Sequence, residues 1–131
     1  VHIVKNNTYA ILNHSKAALV TSGTATLETA LLNVPEVVCY KGNRITLMLA
    51  KRFVKIKFIA LVNLIMDKEV VKELIQENLT TKNLVAELNQ LLNNTAVQGQ
   101  IKNDYTTLKN ILTTGHNASE VAAQIILAEL K

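Results

Sequence analysis

Two short apolar runs, "AALV" at 17–20 and "VVCY" at 37–40, stand close in the chain with one helix-length segment between them. That spacing is the tightest constraint on the fold. Strands alternating with helices imply crossover connections and a parallel sheet covered by helices. Parallel strands buried on both faces read as continuous apolar runs, as these two do. The segment between them, 24–33, is predicted to be a helix with Ala25, Leu27, Ala30 and Leu31 inward. Pro35 then forces a break, and "EVVCY" (36–40) is the next strand.

Outward from this unit, "VHIV" (1–4) reads as a short strand and "TYAILNHS" (8–15) as a short helix. Past residue 44 the pattern turns helical. "ITLMLAKRFV" reads as helix, "FIALVNLI" is ambiguous, and "KEVVKELIQ" (68–76) reads as helix. The stretch 80–93 opens on Thr81 as its cap and sets Leu84, Val85, Leu88, Leu91 and Leu92 on one face. Two more helices follow, at about 95–112 and 117–130, with Gly115 between them and Asn117 or Ser119 capping the second. The expectation is one α/β domain, a partial Rossmann-like parallel sheet flanked by helices. Its α/β portion is 1–43 and its mainly helical portion 44–131.

Composition supports this. The 131 residues suffice for one core, and with 49% hydrophobic but only 4% aromatic residues that core is aliphatic. The longest apolar stretch, "FIALVNLIM" (58–66), falls far short of the roughly 20 residues of a membrane-spanning helix. Cys39 is the one cysteine and lies inside an apolar run, so it reads as a small buried hydrophobe in a reducing, cytoplasmic setting. The chain begins at Val1, already strand-like, which reads as a piece of a longer protein.

The chemistry is concentrated in "TSGTATLE" (21–28). Where a parallel strand runs into a helix, the helix offers unpaired N–H groups and the positive end of its dipole. Gly23 allows close backbone approach, and the hydroxyls of Ser22 and Thr24 add donors, which makes a phosphate site. Glu28, one turn after Thr24, can accept from the vicinal hydroxyls of a ribose. Phosphate plus ribose suggests a nucleotide at the strand ends of an open sheet. The plainer alternative is a tight turn of small residues followed by a solvated glutamate. The stretch matches neither the Walker loop, nor GxGxxG, nor the GxSxG elbow.

Three blocks in order, "SGTATLETALLNVPEVVCY", "LAKRFVK" and "NLIMDKEVVKELIQ", resemble the carboxyl-terminal part of the lipid-A-disaccharide synthase family. The likeness is closest over 17–76 and looser through the terminal helices. It implies an inverting GT-B glycosyltransferase, with the donor nucleotide held mainly on the half represented here. The implied donor is UDP-2,3-diacylglucosamine and the implied acceptor 2,3-diacylglucosamine 1-phosphate. The general base and acceptor site belong to the other half, so no catalytic residue is expected in this chain and no turnover from it alone. The alternatives are another GT-B UDP-sugar enzyme, or a non-catalytic nucleotide-binding or dimerisation module.

Residue by residue, the likeness places Ser22, Gly23 and Thr24 on the diphosphate and Glu28 on the ribose. Tyr40 and Asn43 match a strand-end Y-x-x-N pattern beside the same crevice. Asn63 matches a family asparagine that either contacts the nucleotide or donor sugar or stitches a loop as a buried amide. Glu69, Glu73 and Gln76 match positions on the following helix. Glu73 or Gln76 is the residue that reaches the donor, and a surface helix charge is the default for both glutamates. Three departures stand out. Arg44 and Val62 replace prolines, and Met66-Asp67-Lys68 replaces the family's AGR.

No cofactor and no metal are expected. Asp67 and Asp104 are isolated, and His2, His14 and His116 are scattered without ligand spacing. A helix terminus is the metal-free way to hold a leaving diphosphate. The basic stretch 51–57, with Lys51, Arg52, Lys55 and Lys57, is either a contact for an anionic membrane leaflet or a solvated helix edge. The net charge of +4 and the lack of an aromatic platform argue against nucleic acid. A homodimer is expected, because the terminal helices leave apolar faces seeking partners.

Overall fold

A computed structural model describes residues 1–21, 23–42 and 57–114. The elements are α1 (Thr8–Asn13), β1 (Ala18–Thr21), α2 (Thr24–Leu31), β2 (Glu36–Tyr40), α3 (Leu61–Met66), β3 (Lys72–Ile75), α4 (Thr81–Asn93) and α5 (Thr95–Thr114). A 3-10 turn at Gln76–Asn78 links β3 to α4. The strands form one parallel sheet in the order β1-β2-β3.

The expected β1–α2–β2 unit is present. Val37 and Val38 are both fully buried. Successive strand residues point to opposite faces, so helices cover both sides of β2. The core joins them to Ala30, Val71, Leu74, Leu91, Ile101, Tyr105 and Leu108. Tyr105 ties α5 to the loop before β2 by donating to the Val34 carbonyl at 3.2 Å. Lys68 ties the turn after α3 to α5, donating to both oxygens of Asp104 at 2.7 and 2.8 Å.

Several expectations need correction. Residues 68–76 are not a helix, because Lys72–Ile75 is the third strand and pairs Val37 with Lys72 through Tyr40 with Ile75. The apolar doublets 70–71 and 74–75 fit a helix locally, but pairing with β2 decides the outcome. Residues 1–4 form no strand. No described strand pairs with them, and Ile3 and Val4 are exposed.

In α2 the inward residues besides Ala30 are Thr26 and Thr29, while Ala25 and Leu31 are exposed and Leu27 is half-buried. Each threonine satisfies its own hydroxyl within the helix, Thr26 Oγ1 donating to Gly23 O and Thr29 Oγ1 to Ala25 O, both at 2.8 Å. The methyl groups are then free to pack. In α4 the cap is Thr80 rather than Thr81, its hydroxyl accepting from Asn83 N at 3.2 Å. Leu91 is the buried residue of that face, while Val85 and Leu92 are exposed. The expected features at Gly115, Asn117, Ser119 and 117–130, and the helix over 45–54, lie outside the described residues.

Candidate functional site

The register of the sheet levels Thr21 with Cys39, Cys39 with Leu74, and Tyr40 with Ile75. All three strands therefore end together, and the segments leaving them share one edge. From β1 the chain enters Gly23, whose φ of 141° and ψ of −162° belong to a region open essentially only to glycine. A β-carbon at Gly23 would meet nothing within 4 Å, so backbone conformation, not crowding, demands glycine here. No side chain caps α2 and no acidic residue stands in its first turn. The amide end of α2 is left open to an anion. Thr24 is exposed and Glu28 half-buried.

The neighbouring ends converge on the same edge. Tyr40 closes β2, and Gln76 follows β3 with a φ of 53°. Gln76 Nε2 donates to the Gly42 carbonyl at 2.8 Å, joining the segment after β3 to the one after β2. A β-carbon on Gly42 would lie 2.5 Å from Tyr40 Oη. Gly42→Ala therefore displaces the Tyr40 ring while costing stability under about 1 kcal/mol. Tyr40 ring chemical shifts and urea unfolding of the variant check this.

Asn63 and Glu73 do not join that edge. Asn63 is fully buried. Its Nδ2 donates to Val71 O at 2.8 Å and to Glu73 Oε1 at 2.9 Å, and its Oδ1 accepts from Val70 N at 2.8 Å and Val71 N at 3.0 Å. Two donors and two acceptor positions are all the amide has, and here all four stitch Asn63 to Val70, Val71 and Glu73. Glu73 accepts from Ile59 N at 3.0 Å and Ala60 N at 2.9 Å, just before α3, where a carboxylate favours the helix start. Glu69 is a surface charge paired with Lys72 at 3.2 Å. Sequence reasoning missed the mutual bond of Asn63 and Glu73. Their separation of ten residues across a strand misread as helix hid it.

Ser22, Asn43, Lys51, Arg52 and Lys55 lie outside the described residues. Lys57 is exposed and pairs with Asp67 at 3.1 Å, a surface pair of little energetic weight. Asp67 ends α3 in the left-handed conformation with φ of 44°, and Lys68 holds Asp104. Two of the three residues that depart from the AGR pattern thus have structural partners. Val62 is fully buried in the core. Among the described residues no group of His, Cys, Asp and Glu gathers to hold a metal, and no helix is long and apolar enough to cross a membrane.

The family model described as lipid-A-disaccharide synthetase matches residues 1–128. The chain belongs to the lipid-A-disaccharide synthetase family. Among curated relatives, the lipid-A-disaccharide synthase of Psychromonas ingrahamii is 53% identical over 83 residues, covering 63% of this chain and 22% of the relative. That of Granulibacter bethesdensis is 41% identical over 105 residues, covering 78% of this chain and 27% of the relative. That of Blochmanniella pennsylvanica is 41% identical over 123 residues, covering 94% and 31%. The chain thus spans between a fifth and a third of the length of these synthases. The family match accords with the resemblance in the sequence and with the parallel α/β sheet of the fold.

Proposed function

We propose that this chain is the nucleotide-binding part of a glycosyltransferase that joins two acylated glucosamines. The donor is UDP-2,3-diacylglucosamine and the acceptor 2,3-diacylglucosamine 1-phosphate. The products are the β-1,6-linked disaccharide 1-phosphate and UDP. The observation that carries the reading is the glycine-only backbone at Gly23, which opens the amide end of α2 at the carboxyl edge of the sheet.

The chemistry follows from charge. As the glycosidic bond to UDP breaks, the sugar becomes oxocarbenium-like and negative charge builds on the diphosphate. Fixed N–H dipoles at the start of α2 stabilise that charge without reorganising. Ser22 and Thr24 hydroxyls add donors, and Glu28 accepts from the ribose hydroxyls. Tyr40 and Gln76 border the same crevice, and the family likeness adds Asn43 to the donor contacts. The general base and the acceptor site belong to a part of the enzyme this chain lacks, so it binds UDP but does not turn over. Contact with an anionic leaflet through Lys51, Arg52, Lys55 and Lys57, and a homodimer, complete the proposal.

Titration of UDP into the chain, followed by backbone amide NMR, tests the reading. Shifts should concentrate at Gly23 to Glu28 and near Gly42 and Gln76. Glu28→Ala should weaken binding about tenfold, the equivalent of roughly 1.4 kcal/mol, without changing the fold. Unshifted spectra from a folded sample would sink the proposal that this piece binds UDP.

A further inference from the structure

The sheet has a second end. At its amino-terminal edge the segments that lead into β1 and β2 meet the corner between α4 and α5 around a cavity of about 410 Å³. Ser15 and Lys16 come from the approach to β1, and Asn33 and Pro35 from the approach to β2. Leu91 and Leu92 come from the end of α4, and Gln98 and Lys102 from the first half of α5. Pro35 and Leu91 are buried and, with Leu92, make the apolar side of the cavity, while both lysines are exposed.

The lining holds two lysines and no carboxylate. Among the described residues neither Lys16 nor Lys102 forms an ion pair. The two acids closest to the lining in sequence do not serve them. Asp104 is held by Lys68 at 2.7 Å. Glu36 is fully buried, its carboxyl oxygens closed to solvent and without a hydrogen-bond partner. α1, α2 and α4 all end here, and the carboxyl end of a helix disfavours an anion. Their last carbonyls are already occupied, however: Leu12 O by Ser15 N, Ala30 O by Asn33 N, Gln90 O by Asn94 N and Leu91 O by Gln98 Nε2. The lysines are therefore not consumed as caps, and their charge is left for a ligand.

Two unpaired ammonium groups beside an apolar side select a doubly charged anion with a hydrocarbon body. We propose that this cavity binds a phosphate monoester dianion, its oxygens accepting from Lys16, Lys102 and the Asn33 amide and its organic part lying on Pro35, Leu91 and Leu92. The three donors come from three separate segments. The three oxygens of a phosphate monoester can meet them together, which the two of a carboxylate cannot. The site is at the opposite edge from the nucleotide crevice and does not rest on that reading. The same dianion occurs on a soluble ester and on the headgroup of phosphatidic acid.

The test is titration of n-butyl phosphate into the 131-residue chain, read from the backbone amides of Lys16, Asn33, Gln98 and Lys102. It is run at pH about 7.5, above the second pKa of about 6 that a phosphate monoester carries. n-Butanol is the uncharged control, and Lys16→Met and Lys102→Met keep the apolar stems without their charges. The proposal expects saturable shifts at those amides, with affinity falling about tenfold in each variant and falling with added salt. Four results would overturn it: no saturable shifts there, shifts confined to Gly23–Glu28, undiminished binding by both folded variants, or equal binding of n-butanol. If a variant does not fold, the salt dependence and the n-butanol comparison in the parent chain decide alone. Phosphatidylcholine vesicles with and without phosphatidic acid then separate the sources. Co-sedimentation of the parent chain, but not of the doubly substituted one, with the phosphatidic acid vesicles assigns the lipid, and its absence assigns the soluble ester.

Discussion

Replacing Glu36 by leucine raises stability at pH 7 by about 3 kcal/mol. Desolvation raises the Glu36 pKa from 4.5 to about 9 in the folded chain. Between those values the unfolded chain has lost this proton and the folded chain keeps it. The folded state then binds more protons, so stability falls as pH rises, by about 1.4 kcal/mol per unit. Below the unfolded value the penalty vanishes, and above about pH 9 it is complete. Glu36→Leu removes the titration and leaves no unpartnered carboxyl. Urea unfolding across pH 4 to 9 should therefore show the two proteins diverging with pH. Parallel curves would show that Glu36 carries no such burial penalty.

Asn63→Ala has the opposite sign, a loss of about 4 kcal/mol. The substitution strips partners from Val70 N, Val71 N, Val71 O and one oxygen of Glu73. Buried groups left unpaired cost about 1–3 kcal/mol each, partly recovered as water and neighbours relax. Asn63→Asp keeps the two accepting positions but sets a second carboxylate against Glu73. It should destabilise too, and recover in part as pH falls through the carboxylate range. The same unfolding experiments, with UDP binding measured alongside, separate the two roles proposed for this residue. A nucleotide contact would lower UDP affinity at unchanged stability.

The β1–α2–β2 unit was legible because its signals are local: continuous apolar runs, a glycine at the turn and Pro35 before the second strand. β3 was not, since "KEVVKELIQ" has doublets that satisfy a helix equally well and only the pairing with Val37 to Tyr40 makes it a strand. Thr26 and Thr29 escaped notice because hydropathy does not record a hydroxyl satisfied by its own helix. At the site, the turn around Gly23 could be read from residue types alone. The inward commitment of Asn63 and Glu73 could not, because it depends on two segments that meet only in the fold. Nothing in "EVVCY" marks its glutamate as the buried residue it is.

The clasp that Glu73 and Asn63 form also sets an order of assembly. A helix of six residues such as α3 is too short to persist in water by itself. Its start is held by a carboxylate on β3, and its own Asn63 holds the backbone of Val70 and Val71 in return. Among the described residues β3 is an edge strand whose partner is β2. α3 therefore forms only once that edge strand has docked, and whatever frees the strand releases the helix with it. The amides of Ile59, Ala60, Val70 and Val71 belong to a single opening unit, and in hydrogen exchange they should leave protection together.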